Sequence, residues 1–131
     1  MTSVTDTRLL LTLEFPPTEA LGLKVERFVE KEAARQLLAP SIILTEFIKY
    51  GGSRIGEDAV RTRLRVLKEK GLRIVPIAEK DALVAGSLLL ANPNVPIADA
   101  LVASFVKNGA AEYVITNDPH FKTLGVKTRW I

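Results

Sequence analysis

The stretch that decides the fold lies at residues 96–121 and reads PIADALVASFVKNGAAEYVITNDPHF. Its first half has the apolar spacing of a helix, and Gly109 follows as a stop signal. Residues 112–116 are a short apolar run, which is typical of a buried strand. The stretch therefore predicts a helix, a tight turn and a strand, with Asp99 in the first helical turn and Asp118 just beyond the strand.

The remainder of the chain repeats this alternation. Short apolar runs predict strands near Val4 and at residues 37–39, 72–77, 112–116 and 126–130. Longer periodic segments predict helices at residues 7–13, 19–35, 41–50, 53–70, 79–91, 96–107 and 119–124. Strands that are continuously apolar and separated by helices indicate a parallel sheet with helices on both faces, an α/β fold.

Three helix boundaries are predicted from local signals. Thr18 is expected to cap the helix at residues 19–35, which begins after Pro16-Pro17. Gly51-Gly52 are expected to end the helix that begins at Ser41. Ser53 is expected to open a long basic helix that runs to Lys70.

Length and composition limit the possible classes. The 131 residues are 47% apolar and 25% charged, which predicts a single globular domain over residues 1–131. Cysteine is absent, so disulfides, thiolate metal sites and cysteine nucleophiles are excluded. No apolar run approaches the roughly 20 residues of a membrane span, and the start of the chain lacks the pattern of a secretory signal. We therefore expect a cytoplasmic protein with no membrane partner.

Acidic residues fall at positions where a parallel sheet binds ligands. Asp6 and Asp118 come just after predicted strands, and Asp99 opens the helix that leads into the strand before Asp118. Ligands of such sheets bind beyond the carboxyl ends of the strands, so these carboxylates are expected at one edge. Glu46 lies on the apolar stripe of its helix, where an unpaired carboxylate is costly by several kcal/mol.

Each acid also has a structural explanation. Asp6 and Asp118 are suitable N-caps for the helices that follow them, and Asp99 suits the positive end of a helix dipole. Glu46 needs compensation from a cation such as Lys49, from partial exposure or from a metal. Four carboxylates at one edge would repel each other by several kcal/mol, and oxygen ligands favour Mg²⁺ or Mn²⁺. Such ions support phosphodiester hydrolysis by water without a protein nucleophile.

The basic residues allow two interpretations. The net charge is +3, and the cations concentrate in the middle of the chain, at Arg54, Arg61, Arg63, Arg65, Lys68, Lys70 and Arg73. A solvated helix face is the simpler interpretation. A surface that contacts phosphates is the functional one.

Four segments resemble the PIN-domain family. They are VTDT near the start, LTEFIKYG in the middle, PIADALVA, and VITNDPHF near the end. The chain is most similar to the small archaeal and bacterial VapC-like toxins, the archaeal type in particular. The resemblance implies a three-layer α/β/α fold with a parallel sheet of about five strands. It also implies a metal-dependent endoribonuclease that is usually homodimeric and often paired with an inhibitory antitoxin.

The resemblance also assigns roles to residues. Asp6, Glu46, Asp99 and Asp118 match the family's four acids and are expected to be catalytic and to bind Mg²⁺ or Mn²⁺. Thr7 and Thr116 match the hydroxyl residues beside the first and last acids and are expected to orient water or a carboxylate. Candidate RNA contacts are Arg8, Lys49 and His120.

Two positions depart from the family's pattern. His120 stands where many relatives carry a further acid, which would weaken a second metal, although an exposed surface histidine is the simpler interpretation. Arg8 stands where small polar residues are more usual. The expected reaction is in-line attack of a metal-bound water on a phosphodiester, with single-stranded or looped RNA as the favoured substrate.

Three other classes remain open. A phosphorelay receiver would need paired acids near the start, which Thr5-Asp6 does not provide. A phosphatase of the haloacid-dehalogenase type needs an Asp-x-Asp motif, and residues 6–8 lack the second Asp. A catalytically silent module that keeps the fold and binds RNA or protein is the main alternative, because of His120.

Overall fold

Five parallel strands form the central sheet of the computed structural model, which describes residues 1–131. The strands are β1 (Ser3–Thr5), β2 (Leu37–Pro40), β3 (Leu72–Val75), β4 (Tyr113–Ile115) and β5 (Thr128–Arg129). The helices are α1 (Thr7–Glu14), α2 (Glu19–Arg35), α3 (Ile42–Ile55), α4 (Glu57–Glu69), α5 (Glu79–Ala91), α6 (Ile97–Lys107) and α7 (His120–Thr123). The predicted α/β/α sandwich with five parallel strands is confirmed.

The order of the strands reflects one change of direction along the chain. The sheet runs β3-β2-β1-β4-β5, so the chain moves outward from β1 to β3 and then crosses to β4 on the other side of β1. Since crossovers between parallel strands are right-handed, α1–α4 cover one face and α5–α7 cover the other. The crevice between β1 and β4, where the connections diverge to opposite faces, is the usual ligand position in such sheets.

The two central strands are completely buried. Val4 on β1 and Val114 and Ile115 on β4 have no exposed surface, and Thr5 pairs in register with Ile115. Phe47 from α3 and Phe105 from α6 belong to the same apolar core. Burial of each such side chain contributes about 1.5–3 kcal/mol, so the positions at which β1 and β4 end are held firmly by packing.

The predicted boundary between the third and fourth helices is wrong. Helix α3 continues through Gly51 and Gly52 to Ile55, and α4 begins at Glu57. A β-carbon at Gly51 would lie 2.6 Å from Val60 Cγ2, so the glycine permits close packing of α3 against α4. The break occurs at Gly56, whose φ of 89° suits glycine. Packing between helices therefore overrides the stop signal of a glycine pair.

A buried polar cluster lies at the amino ends of β1 and β4, on the side of the sheet away from the carboxyl ends of these strands. Glu32 at the end of α2 accepts hydrogen bonds from Tyr113 Oη at 2.8 Å and from Ser3 Oγ at 3.2 Å. Arg129 on β5 lies 3.5 Å from Glu32 and donates to Tyr113 Oη at 3.1 Å. Burial raises the pKa of Tyr113. Ser3 and Tyr113 are the first residues of β1 and β4, so the cluster ties β5 and α2 to the amino ends of these two strands.

None of the seven helices combines the length and the apolar character needed to cross a bilayer.

Candidate active site

Asp6 directly follows β1 and is fixed by two hydrogen bonds. Its side chain caps α1, accepting from the backbone N–H of Leu9 at 3.2 Å through Oδ1. Its second oxygen, Oδ2, accepts from Thr116 Oγ1 at 2.5 Å. Asp6 as a whole is only 5% exposed. The capping role and a place at the site are therefore compatible, because one oxygen serves the helix and the other faces β4.

Thr116 joins the first and last of the predicted acids. It follows β4 and is buried, and besides donating to Asp6 its hydroxyl oxygen accepts from the backbone N–H of Asp118 at 3.0 Å. One hydroxyl thus fixes the direction of a carboxylate and the turn that carries another. This geometry supports the orienting role predicted for Thr116.

Asp99, Asp118 and His120 form the tightest group. His120 Nδ1 lies 3.1 Å from Asp99 Oδ2 and 3.0 Å from Asp118 Oδ1. One potential ligand atom from each residue lies within 4.8 Å of the others. The imidazole is 43% exposed, so it is at the surface, but it lies between two carboxylates at the site. His120 therefore belongs to the acidic group itself.

Glu46 reaches the site from α3. Its Oε1 accepts a hydrogen bond from Thr7 Oγ1 at 2.6 Å, and Thr7 is the first residue of α1. The carboxylate is half-buried and has no Lys or Arg within ion-pair distance. Partial exposure to solvent and the hydrogen bond from Thr7 offset the cost of placing the Glu46 carboxylate on the apolar stripe of α3.

The electrostatics of the group favour protonation or a cation. Burial raises the pKa of Asp6 to about 6, against the lowering effect of its hydrogen bonds from Thr116 and Leu9. Burial, followed by the charge of Asp118, raises the pKa of Asp99 despite the hydrogen bond to His120. Removal from water is the main cause of both raised pKa values, and the neighbouring carboxylates add to it, so a bound proton or cation would relieve the cost of the buried charge.

All four predicted acids line one open cleft of about 400 Å³. Thr7, Arg8 and His120 line it as well. Arg8 lies 3.7 Å from Asp118 and donates to Asn117 at 3.1 Å, with a side chain that is 54% exposed. Lys49 does not line the cleft, since its Nζ lies over the Tyr50 ring, 5.3 Å from the centroid. Its predicted contact with RNA stays a prediction.

The residues present fit a hard divalent cation. Carboxylate oxygens are the majority of the donors, and the nearest permanent cation, Arg8, is exposed and at the rim. Asp99 and Asp118, with Asp6 beside them, would hold the ion, and Glu46 completes the oxygen donors. His120 offers a nitrogen that Mn²⁺ accepts more readily than Mg²⁺.

Several lining residues were missing from the sequence prediction. Tyr50, Leu11 and Pro96 also line the cleft. Tyr50 lies one helical turn after Glu46, a spacing that places both on the same side of α3. That spacing is a usable sequence signal, because Glu46 is itself a predicted site residue.

Replacement of Thr116 tests its orienting role. Thr116→Val removes the donor to Asp6 and the acceptor for the Asp118 N–H, so we expect RNA cleavage to fall about 10–100-fold. Thr116→Ser keeps the hydroxyl and serves as the control, with activity within about threefold of the wild type. Equal cleavage rates for the valine and serine variants would contradict the role.

Comparison with known structures finds the same fold in toxin–antitoxin proteins. The matched chain of VapBC2 from Rickettsia felis, solved with a promoter DNA fragment, is 17% identical, with a TM-score of 0.76 over 100% of this chain and 99% of that one. VapC20 of Mycobacterium tuberculosis, a toxin that cleaves the sarcin–ricin loop, is 13% identical, with a TM-score of 0.77 over 95% of each chain. A chain of DNA-bound VapBC from Salmonella typhimurium is 16% identical, with a TM-score of 0.70 over 99% and 98%.

Comparison with sequences gives the family. Among curated proteins, none matches this sequence at a significant level. The sequence model of the PIN domain matches residues 4–127, which is nearly the entire chain and includes the four acids of the cleft. The chain therefore belongs to the PIN-domain family.

Proposed function

We propose that this protein is a metal-dependent endoribonuclease and the toxin of a toxin–antitoxin pair. The observation that carries the proposal is the convergence of Asp6, Glu46, Asp99 and Asp118 on one cleft beyond the carboxyl ends of β1 and β4. The similar structures include a toxin that cleaves the sarcin–ricin loop and a VapBC complex, which supports this reaction and this biological role.

The protein's own side chains hold the reacting groups in place. Asp6, Asp99 and Asp118 form the wall that binds Mg²⁺ or Mn²⁺, and Thr116 and Thr7 keep Asp6 and Glu46 in fixed directions. When bound, the metal supplies an activated water and stabilises the charge that develops on the phosphate. Arg8 at the rim attracts the RNA backbone toward the cleft, since its side chain is largely exposed.

Addition and removal of the metal test the activity. Purified protein in Mg²⁺ or Mn²⁺ should cleave a labelled single-stranded RNA, and excess chelator should reduce the rate by at least about 100-fold. Restoring the metal should restore cleavage in the same sample. Cleavage that persists in chelator would contradict the proposal, because the cleft then would not be its source.

A silent PIN-fold module is the second candidate. Its support is His120, whose ring occupies space between Asp99 and Asp118 and contacts both. The two candidates differ in the effect of His120→Asp, which restores the family's usual acid at this position. In a silent module that substitution creates cleavage absent from the wild type, whereas in an active nuclease both proteins cleave.

The partners follow from the same proposal. We assign the protein to the cytoplasm, with a basic antitoxin segment that covers the acidic cleft. Exposed leucines on α5 support a homodimer, since Leu83 and Leu90 lie two helical turns apart and are 67% and 88% exposed. Sedimentation equilibrium that gives only the 14.4 kDa monomer at micromolar concentration would contradict the dimer.

A further inference from the structure

Two further grooves adjoin the acidic cleft and share lining residues with it. The Tyr50 groove is lined by Thr12, Phe15, Tyr50, Ser53 and Arg54 and shares Arg8, Leu11 and Tyr50 with the cleft. The Trp130 groove is lined by Lys122, Thr128 and Trp130 and shares Asp118 with the cleft. The three depressions therefore adjoin one another on the surface, and Asp118 forms the boundary between the cleft and the Trp130 groove.

The Tyr50 groove combines aromatic rings with guanidinium groups. The Tyr50 side chain is 45% exposed, and the Arg54 guanidinium lies 4.9 Å from the centroid of the Phe15 ring. Lys49 adds a third cation at the outer side of Tyr50. Flat rings beside cations are the surface on which single-stranded nucleic acids stack their bases and hold their phosphates.

The Trp130 groove repeats this chemistry on the far side of Asp118. Trp130 is half-buried and packs in part against the core, which fixes its ring, and Lys122 is exposed beside it. The Trp130 groove thus pairs the Trp130 ring with the Lys122 cation, just as the Tyr50 groove pairs the Tyr50 ring with the Arg54 cation. Asp118, which the cleft and the Trp130 groove share, is the one acidic residue that lines either groove.

We propose that single-stranded RNA lies along this whole track, with one base on Tyr50 and another on Trp130. Arg54 and Lys122 contact the backbone on either side of the scissile phosphate, which lies over the acids. The inference rests on the proposed ribonuclease function and adds the side chains that hold the strand on either side of the acids. A duplex, whose bases are already stacked on one another, offers no free base faces to Tyr50 and Trp130, so we expect it to bind poorly.

Trp130 is the only tryptophan of the chain, so its fluorescence reports on one end of the track alone. Binding is measured with an eight-nucleotide single-stranded RNA on the Asp99→Asn variant, which we expect to bind RNA without cleaving it. We expect quenching of Trp130 fluorescence that saturates with the binding curve. Inorganic polyphosphate, which carries charge but no bases, should bind without quenching.

Substitutions test the other end of the track in the same background. Tyr50→Leu should weaken RNA binding at least about fivefold, while Tyr50→Phe should keep nearly all of it. Arg54→Gln should also weaken binding and should reduce the slope of log affinity against log salt by about 1. Arg65→Gln, on the exposed surface of α4, removes the same charge away from the track and is the matched control.

The outcomes separate this inference from the proposed activity. RNA binding without quenching, or equal affinity for the Tyr50→Leu, Arg54→Gln and Arg65→Gln variants, overturns the track. If quenching and the order of the variants hold but the wild type fails to cleave RNA in Mg²⁺ or Mn²⁺, the track stands and the proposed hydrolysis is contradicted.

Discussion

Replacement of Asp99 by asparagine is expected to reduce RNA cleavage by about 10³-fold or more, close to the limit of detection. Asp99 contacts His120 and is electrostatically coupled to Asp118 and Glu46, so it lies at the centre of the acidic group. Asparagine keeps the shape but removes the charge that binds a divalent cation and holds it at the phosphate. Loss of a single preorganised charge of this kind typically removes several kcal/mol of transition-state stabilisation. The measurement is the single-turnover rate on a labelled single-stranded RNA.

The control for Asp99→Asn is a matched loss of charge elsewhere. Asp58 is exposed in the first turn of α4, so Asp58→Asn changes the net charge equally and leaves the cleft intact. We expect its cleavage rate to lie within about twofold of the wild type. Asp99→Asn with a rate within tenfold of the wild type would mean that the acidic cleft does not carry the activity.

Asp6→Asn is expected to stabilise the metal-free protein at neutral and alkaline pH. The folded protein holds the Asp6 carboxyl at a pKa of about 6, above the ordinary value of 3.8 for this side chain. The folded state therefore binds this proton more tightly than the unfolded state. Stability from this group is present in full below pH about 4 and is lost as the pH rises through about 6.

The size of the effect follows from the two pKa values. A change from 3.8 to about 6 corresponds to up to about 3 kcal/mol of lost stability at pH 8. Asparagine is neutral at every pH, so in chelator the variant should exceed the wild type in free energy of unfolding at pH 8 by about 1–3 kcal/mol. At pH 4 the two should agree closely. Urea titrations at both pH values provide the measurement.

Metal should reverse this order. The wild type is expected to gain stability in millimolar Mn²⁺, by about 2.7 kcal/mol when the free metal exceeds its dissociation constant 100-fold, and Asp6→Asn should gain less.

A difference in unfolding free energy between the two metal-free proteins that does not change with pH would contradict the assignment of the raised pKa to Asp6.

The fold was largely predictable because short apolar runs alternate along the chain with longer segments of helical periodicity. Apolar runs at residues 37–39 and 112–116 lie between periodic helical segments, and this alternation determines a parallel α/β sheet. The end of α3 was not predictable from local preference. Gly51 resembles a helix stop, yet its missing side chain admits Val60 of α4, a contact that only the packed structure reveals.

The site was predictable to the level of which residues meet. Asp6 and Asp118 follow adjacent parallel strands, and adjacency of strand ends is a consequence of topology. The orientation of His120 between Asp99 and Asp118 was not predictable, since it depends on the turn after β4 and on a backbone hydrogen bond to Asp118 Oδ1 at 3.0 Å. The direction in which a short turn points its side chains is set by tertiary contacts, and the spacing of residues in the sequence does not reveal those contacts.

The most direct test of the central claim is a crystal of the wild-type protein soaked in Mn²⁺ and measured for anomalous scattering. We predict at least one strong peak in the cleft, with carboxylate oxygens of Asp99, Asp118 and Asp6 within about 2.0–2.4 Å of the ion. Absence of any peak there at millimolar Mn²⁺, with His120 and Arg8 still paired to the acids, would contradict the account.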